Sequence, residues 1–162
     1  MGEPLKKVAL QSLIDTEFPN ASFAEKPFIV NAVVPERTFL EKIFLLHEEF
    51  AKPDESMRTE RMSRHLYDLE RMYSAGIAEK TFAYEGLWKD IVEHRRVFIG
   101  LKGFDYNTLS PEKIHIMPPE HAINEWRQDY ETMRESMIYG DSLPFNKLMD
   151  RIRQLNKLIN NL

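Results

Sequence analysis

The chain has 162 residues, 43% of them hydrophobic, and a formal net charge of −4; that is one ordinary domain with enough apolar content for a core, which argues against bulk disorder and against a global pull toward nucleic acid. It contains no cysteine, which excludes disulfides and thiol chemistry and fits a reducing compartment. No apolar run approaches the ~20 residues that span a bilayer, and the opening MGEPLKKVALQ lacks the apolar centre of a signal peptide, so a soluble cytoplasmic protein is expected.

Residues 5–16 are ambiguous. Val8, Leu10, Ser12 and Ile14 alternate as in a strand, whereas Leu5, Val8, Ala9 and Leu13 would share one helical face. Phe18–Lys26, with its Pro19-Asn20 turn signal, predicts a loop. The β-branched run Phe28–Val34, bounded by Pro27 and Pro35, predicts a strand. Pro35–Phe50 then predicts a helix, with Pro35 suited to its first turn and Glu36 to its dipole. Phe39, Ile43, Leu46 and Phe50 form an apolar stripe that Leu40, Phe44 and Leu45 widen until only Glu41 and Glu48 point clearly outward. Lys42 lies about 60° from the centre of that stripe.

A helix is expected from Met57 to about Ala75, ended by Gly76, with Met62, Leu66, Leu69 and Tyr73 on one face. Arg61, Arg64, Asp68 and Arg71 fall together on another face. Two shorter helices follow, Ile77–Tyr84 and Leu87–Ile99, the second carrying His94, Arg95 and Arg96. Residues 100–118 form a long irregular segment, which packs over the surface or serves as a functional loop. Pro118 and Pro119 open a helix to about Tyr139, with Ile123, Trp126, Tyr130, Met133 and Met137 as a heptad-like seam. Ser142 and Pro144 open the last helix, where Phe145, Leu148, Ile152, Leu155, Ile159 and Leu162 continue that spacing without a break. The short turn between them predicts an antiparallel helical hairpin. The fold class is therefore mainly α (α+β): a bundle of about five or six helices with a small N-terminal β element, forming a single domain.

Two features rise above background. Lys42 stands in a helix apolar nearly all round; it either snorkels from the flank or is held there for function. The run Arg64-His65-Leu66-Tyr67-Asp68-Leu69 places Arg64 and Asp68 four apart, as an exposed ion pair or as part of a phosphate-binding cluster beside Lys42. His47, His94, His115 and His121 show no metal-ligand spacing, and His47 reads as a helix-flank histidine. Arg95 and Arg96 with Trp88 suit an RNA backbone or a solvated face. Met133 and Met137 read as core.

PERTFLEK at 35–42 followed by RHLYDL at 64–69 resembles the later motifs of the AbiEii/AbiGii nucleotidyltransferase toxin family, DNA-polymerase-β-like enzymes of toxin–antitoxin and abortive-infection systems. The resemblance extends through the C-terminal helices, including IYGDSLPF. It implies Mg²⁺-dependent transfer of a nucleotide from a nucleoside triphosphate to RNA or a protein hydroxyl. Lys42 matches the family lysine and Asp68 the second aspartate of the later run, which implies catalytic roles: a charge toward triphosphate and a base or orienting carboxylate. Arg61 and Arg64 are the accompanying phosphate-binding candidates. His65 stands where the family commonly has the first aspartate, and it receives no role.

The family's first motifs, a Gly-Gly-Thr/Ser turn and a nearby Asp-x-Asp strand, are absent from the sequence. The chain therefore resembles the C-terminal part of such an enzyme, with residues 1–34 as remnant strands of its sheet and 35–162 as its helical region. No metal site and no bound cofactor are expected for this chain alone, and no transfer activity, because the carboxylates that hold the metal ions are missing. Possible partners are a cognate antitoxin, an RNA acceptor of the intact parent, and a second copy through the exposed strand, with no membrane. The other reading is a stand-alone helical interaction module that binds an antitoxin or self-associates.

Overall fold

The computed structural model describes residues 5–162. Met1–Pro4, part of the segment judged to lack a signal-peptide core, lies outside the described residues. The chain is mainly helical, with a small antiparallel sheet at its N-terminal end. Strand β1 (Leu5–Leu10) pairs with β2 (Phe28–Val33), in a register from Leu5 opposite Val33 to Leu10 opposite Phe28. Between them runs a short helix, α1 (Leu13–Glu17), capped by the Ser12 hydroxyl, which accepts from the Asp15 N–H at 3.0 Å. Both readings of residues 5–16 were thus half right: strand first, then helix. Leu5, Leu10, Phe28, Ile29 and Val33 on the ribbon remain exposed, as do Leu13 and Ile14 on α1. Each strand pairs on one side only among the described residues.

Helix α2 (Pro35–Phe50) is the centre of the body. Phe39, Leu40, Ile43, Phe44 and Leu46 are fully buried. Its rings meet three neighbours edge-on: Phe39 meets Phe82 at 6.2 Å between centroids, Phe44 meets Trp88 at 5.0 Å, and Phe50 meets Trp126 at 5.1 Å. Those contacts tie α2 to α4 (Ile77–Phe82), α5 (Leu87–His94) and α6 (Ile123–Ser136). The helix is more buried than its sequence suggests, because Glu48 and Glu49 are nearly inaccessible at 5% and 2%. Glu48 does not point outward; it faces Arg95.

Helix α3 (Ser63–Ser74) starts six residues later than the pattern suggests. The cause is Asp129 on α6. Its carboxylate accepts the Arg61 N–H at 2.6 Å, the Ser63 N–H at 2.9 Å and the Ser63 hydroxyl at 2.5 Å. This cap from another helix holds Arg61 at φ 58°, a left-handed conformation that interrupts the helical path. Leu66 and Leu69 turn inward from α3.

Helix α5 continues into a wider π turn, Arg95–Ile99, ended by Gly100 at φ 56°. Val97, Phe98 and Ile99 on that turn are exposed. The segment 100–118 packs rather than projects. Tyr106, Leu109, Ile114 and Ile116 are buried, and its backbone is pinned by side chains. Trp88 donates to the Leu109 carbonyl at 2.8 Å, Asn156 accepts the Ile116 N–H at 2.8 Å, and the His47 Nδ1 accepts the His115 N–H at 3.0 Å. His47 is thus a buried clamp on this segment rather than a flank residue, and burial lowers its pKa.

Helix α6 begins at Ile123, after a 3₁₀ turn, and ends at Ser136. Trp126, Tyr130 and Met133 of its seam are buried, but Met137 lies past the helix end and is exposed, which corrects its assignment to the core. Helix α7 (Phe145–Asn160) buries Phe145, Leu148, Ile152, Leu155 and Ile159, whereas Leu162, past the helix end, is exposed and leaves the predicted seam. The hairpin turn is held by the Tyr130 hydroxyl on the Leu143 carbonyl at 2.7 Å. Both helices of the hairpin lie more against α3 than against each other. No helix of the described residues is long and apolar enough to cross a membrane.

Candidate functional site

Lys42 emerges from the flank of α2 toward α3, and its Nζ donates to Asp68 at 2.7 Å. The two side chains are 20% and 40% exposed, so the pair lies at a rim and not in the core. Beside it opens a cavity of about 370 Å³. Thr38, Glu41, Lys42 and Leu45 line it from one face of α2, joined by Val33 of β2, His65 of α3, Arg37 and Arg95. Three separate stretches of chain, 33–45, His65 and Arg95, therefore meet at this one place.

Arg95 forms the back wall. It is buried, and it grips Glu48 through Nε at 2.8 Å and again through Nη2, while Nη1 donates to Glu41. Burial works against the guanidinium charge, but the two carboxylates outweigh it and raise its pKa. Arg95 is therefore neither a solvated-face residue nor exposed to an RNA backbone. Arg37 Nη2 stands 3.5 Å from Glu41 Oε1 on the next turn of α2. Two turns beyond Glu41 and Lys42, buried Glu49 accepts the Arg58 N–H at 2.7 Å and its guanidinium at 2.8 and 3.1 Å, and Lys52 at 2.8 Å. Burial disfavours the Glu49 charge, yet these donors prevail and lower its pKa.

His65 lines the same cavity. Its pKa is lowered to about 4, first by burial and then by the charges of Lys42 and Arg64. The ring is thus neutral at physiological pH. Its Nδ1 is buried without a hydrogen-bond partner among the described residues. A buried nitrogen with no acceptor to meet is better left unprotonated, which puts the proton on Nε2.

The structure brings Lys42, Asp68 and His65 together. It places Arg61 and Arg64 in a separate cleft of about 70 Å³ between the start of α3 and α6, with Asp129, Thr132, Ser136 and Met137. The shared helical arc drawn for Arg61 fails because Arg61 precedes the helix in a left-handed conformation. The sequence reading missed Arg37, Thr38, Glu41 and Arg95 as cavity residues. The first three carried a signal, since they lie within five residues of Lys42 on the same helix. Arg95, more than 50 residues away, carried none. Among the described residues no group of three or more histidine and carboxylate side chains converges to hold a metal ion.

Arg37 and Arg95 line this cavity already paired to Glu41 and Glu48, so Lys42, held by a carboxylate at the rim, is the cation there that an anion such as a phosphate could engage. No curated protein and no solved structure matches the chain. Residues 1–152 match the family described as "Nucleotidyl transferase AbiEii toxin, Type IV TA system". With that match spanning nearly its whole length, the chain belongs to the AbiEii nucleotidyltransferase toxin family.

Proposed function

We propose that the Lys42 cavity receives the phosphates of a nucleoside triphosphate, in a reaction that transfers a nucleotide to an RNA or protein hydroxyl. The observation that carries this reading is the convergence of Lys42, Arg37 and Arg95 on one cavity, with the Lys42 charge balanced only by a half-exposed carboxylate. Phosphate oxygens entering the cavity would draw the ammonium from Asp68, because a polyphosphate offers more charge than one carboxylate. Asp68, released at the rim, would then orient or deprotonate the acceptor hydroxyl. Arg95 stays fixed by its glutamates and presents a rigid wall.

The Mg²⁺ that this family's chemistry employs does not fit the described residues. Asp68 is the sole carboxylate directed at Lys42 among them, and no cluster of ligands surrounds it. The sequence contains neither a Gly-Gly-Thr/Ser turn nor an Asp-x-Asp pair, and the expected outcome for this chain alone is no nucleotide transfer. Calorimetry with inorganic tripolyphosphate tests the pocket. Wild type should bind, and Lys42→Met should lose at least about tenfold in affinity, roughly the worth of one charge-assisted contact. Equal binding by both proteins would refute the reading.

The exposed apolar ribbon favours a second reading. Leu5, Leu10, Phe28, Ile29 and Val33 face solvent on strands with unpaired outer edges among the described residues, and such edges pair with other chains. The ribbon would then join an antitoxin or a second copy. Light scattering over a wide concentration range decides between a self-associating chain and a monomer.

A further inference from the structure

The arginines of this chain are mostly neutralised. Of the eleven, seven are ion-paired to a carboxylate. Arg127 is stacked 4.6 Å from the Phe145 ring and bonded to Asn146. The remaining three are Arg61, Arg64 and Arg71, all exposed, and all at the start of α3 or along it. Arg64 and Arg71 are seven residues apart, so they share one face about 10 Å apart along the axis. Asp68 lies on that face between them and is engaged with Lys42.

A structural role does not account for Arg61 and Arg64. The start of a helix is its positive end, which disfavours cations, and the first turn of α3 contains no acidic residue to offset them. Asp129, on the facing helix α6, uses both oxygens on the Arg61 and Ser63 amides and the Ser63 hydroxyl. What that clamp does is hold Arg61 in its left-handed conformation, beside Arg64 on the cleft lined by Thr132, Ser136 and Met137. Two residues past Met137, Tyr139 is 98% exposed, an aromatic ring with no packing partner in the core.

We infer that the Arg61–Arg64–Arg71 stripe is the track for an RNA strand, gripped through its phosphates and led past the Lys42–Asp68 rim. The inference rests on the reading of the Lys42 cavity as the triphosphate site, and it assigns the acceptor strand to a different surface. Guanidinium forks match phosphate oxygens bidentately, and an exposed tyrosine offers a face for a base to stack on. An acidic protein is the less fitting occupant. Protein interfaces need an apolar centre, and most of the exposed apolar surface lies on the ribbon, α1 and the turn 97–99, with Met137 and Tyr139 exposed beside the arginines.

The test is fluorescence anisotropy of the 162-residue chain with a short labelled single-stranded RNA, titrated at several salt concentrations. The triple variant Arg61→Asn, Arg64→Gln, Arg71→Gln is compared with Lys89→Gln, Lys102→Gln, Lys157→Gln, which removes equal charge from other exposed sites. Asparagine is used at 61 because it tolerates the left-handed conformation. The arginine variant should lose about tenfold or more in affinity, and its log–log salt slope should flatten by about 2, from roughly 0.7 per phosphate contact on a single strand. The lysine variant should stay within about twofold of wild type, since it leaves the phosphate contacts in place. Thermal melts confirm that each variant is folded; if the triple variant is not, Arg64→Gln alone should flatten the slope by about 0.7. Absence of RNA binding by wild type at low salt, or equal losses in the arginine and lysine variants, overturns the assignment. Displacement of the RNA by polyglutamate at equal charge overturns it in favour of an acidic protein. Loss of tripolyphosphate binding only in Lys42→Met keeps the two sites separate; if Lys42→Met binds tripolyphosphate normally, the cavity reading fails while the arginine result stands.

Discussion

Replacing Arg95 with Met removes the guanidinium that Glu48 and Glu41 share. Glu48 is 5% exposed, so its carboxylate would be left buried without a counter-charge. Breaking a buried pair by deleting one partner costs roughly 3–5 kcal/mol, and Arg95 sits at the upper part of that range because it serves two carboxylates. For a chain of this size that is a large part of a total stability of about 5–15 kcal/mol. Urea unfolding followed by circular dichroism reads it directly. With a slope of about 2 kcal/mol per molar, the midpoint should fall by roughly 2 M. Arg95→Lys should recover only part of the loss, since an ammonium cannot hold two carboxylates in a fork. The double variant Arg95→Met, Glu48→Gln should be more stable than Arg95→Met alone, because no buried charge remains at position 48. A drop of less than about 1 kcal/mol for Arg95→Met would show an ordinary surface pair, and the account of the cavity wall would be wrong.

Three further outcomes follow from the same geometry. Lys42→Met should change stability by less than about 1 kcal/mol, since the Lys42–Asp68 pair is partly solvated; a loss of several kcal/mol in urea unfolding would make Lys42 structural. His65 should destabilise the fold in acid. Its folded pKa of about 4 lies below the unfolded 6.5, so the unfolded chain binds the extra proton and stability falls as pH drops from about 6.5 to about 4, by at most roughly 3 kcal/mol; His65→Asn should remove that slope, and an unchanged pH–stability profile would contradict the neutral, desolvated ring. Asp129→Ala should cost about 1–3 kcal/mol, because it leaves two backbone amides and a hydroxyl at the start of α3 without their acceptor; amide exchange at Arg61 and Ser63 should speed up, and unchanged protection there would refute the trans cap.

The helices were legible in the sequence because each is an amphipathic or apolar stripe, and local periodicity needs no partner to be read. Leu148, Ile152, Leu155 and Ile159 show their period whatever they pack on. Lys42 stood out for the same reason, as a charge inside such a stripe. The motifs at 35–42 and 64–69 pointed to the family that the match over residues 1–152 establishes. What the sequence could not determine is which charges meet. Glu48 and Arg95 are 47 residues apart, and each looks like a solvent-facing residue in its own helix. Only the packing of α2 against the end of α5 removes both from water, and desolvation then makes their pairing obligatory. The start of α3 was decided in the same way. Met57–Met62 has a helical pattern, but the Asp129 carboxylate from α6 offers the Arg61 and Ser63 amides a charged acceptor, and that contact between distant segments overrides the local preference. Local pattern is a property of neighbours in sequence; burial and charge pairing belong to neighbours in space, and those exist only once the helices have packed.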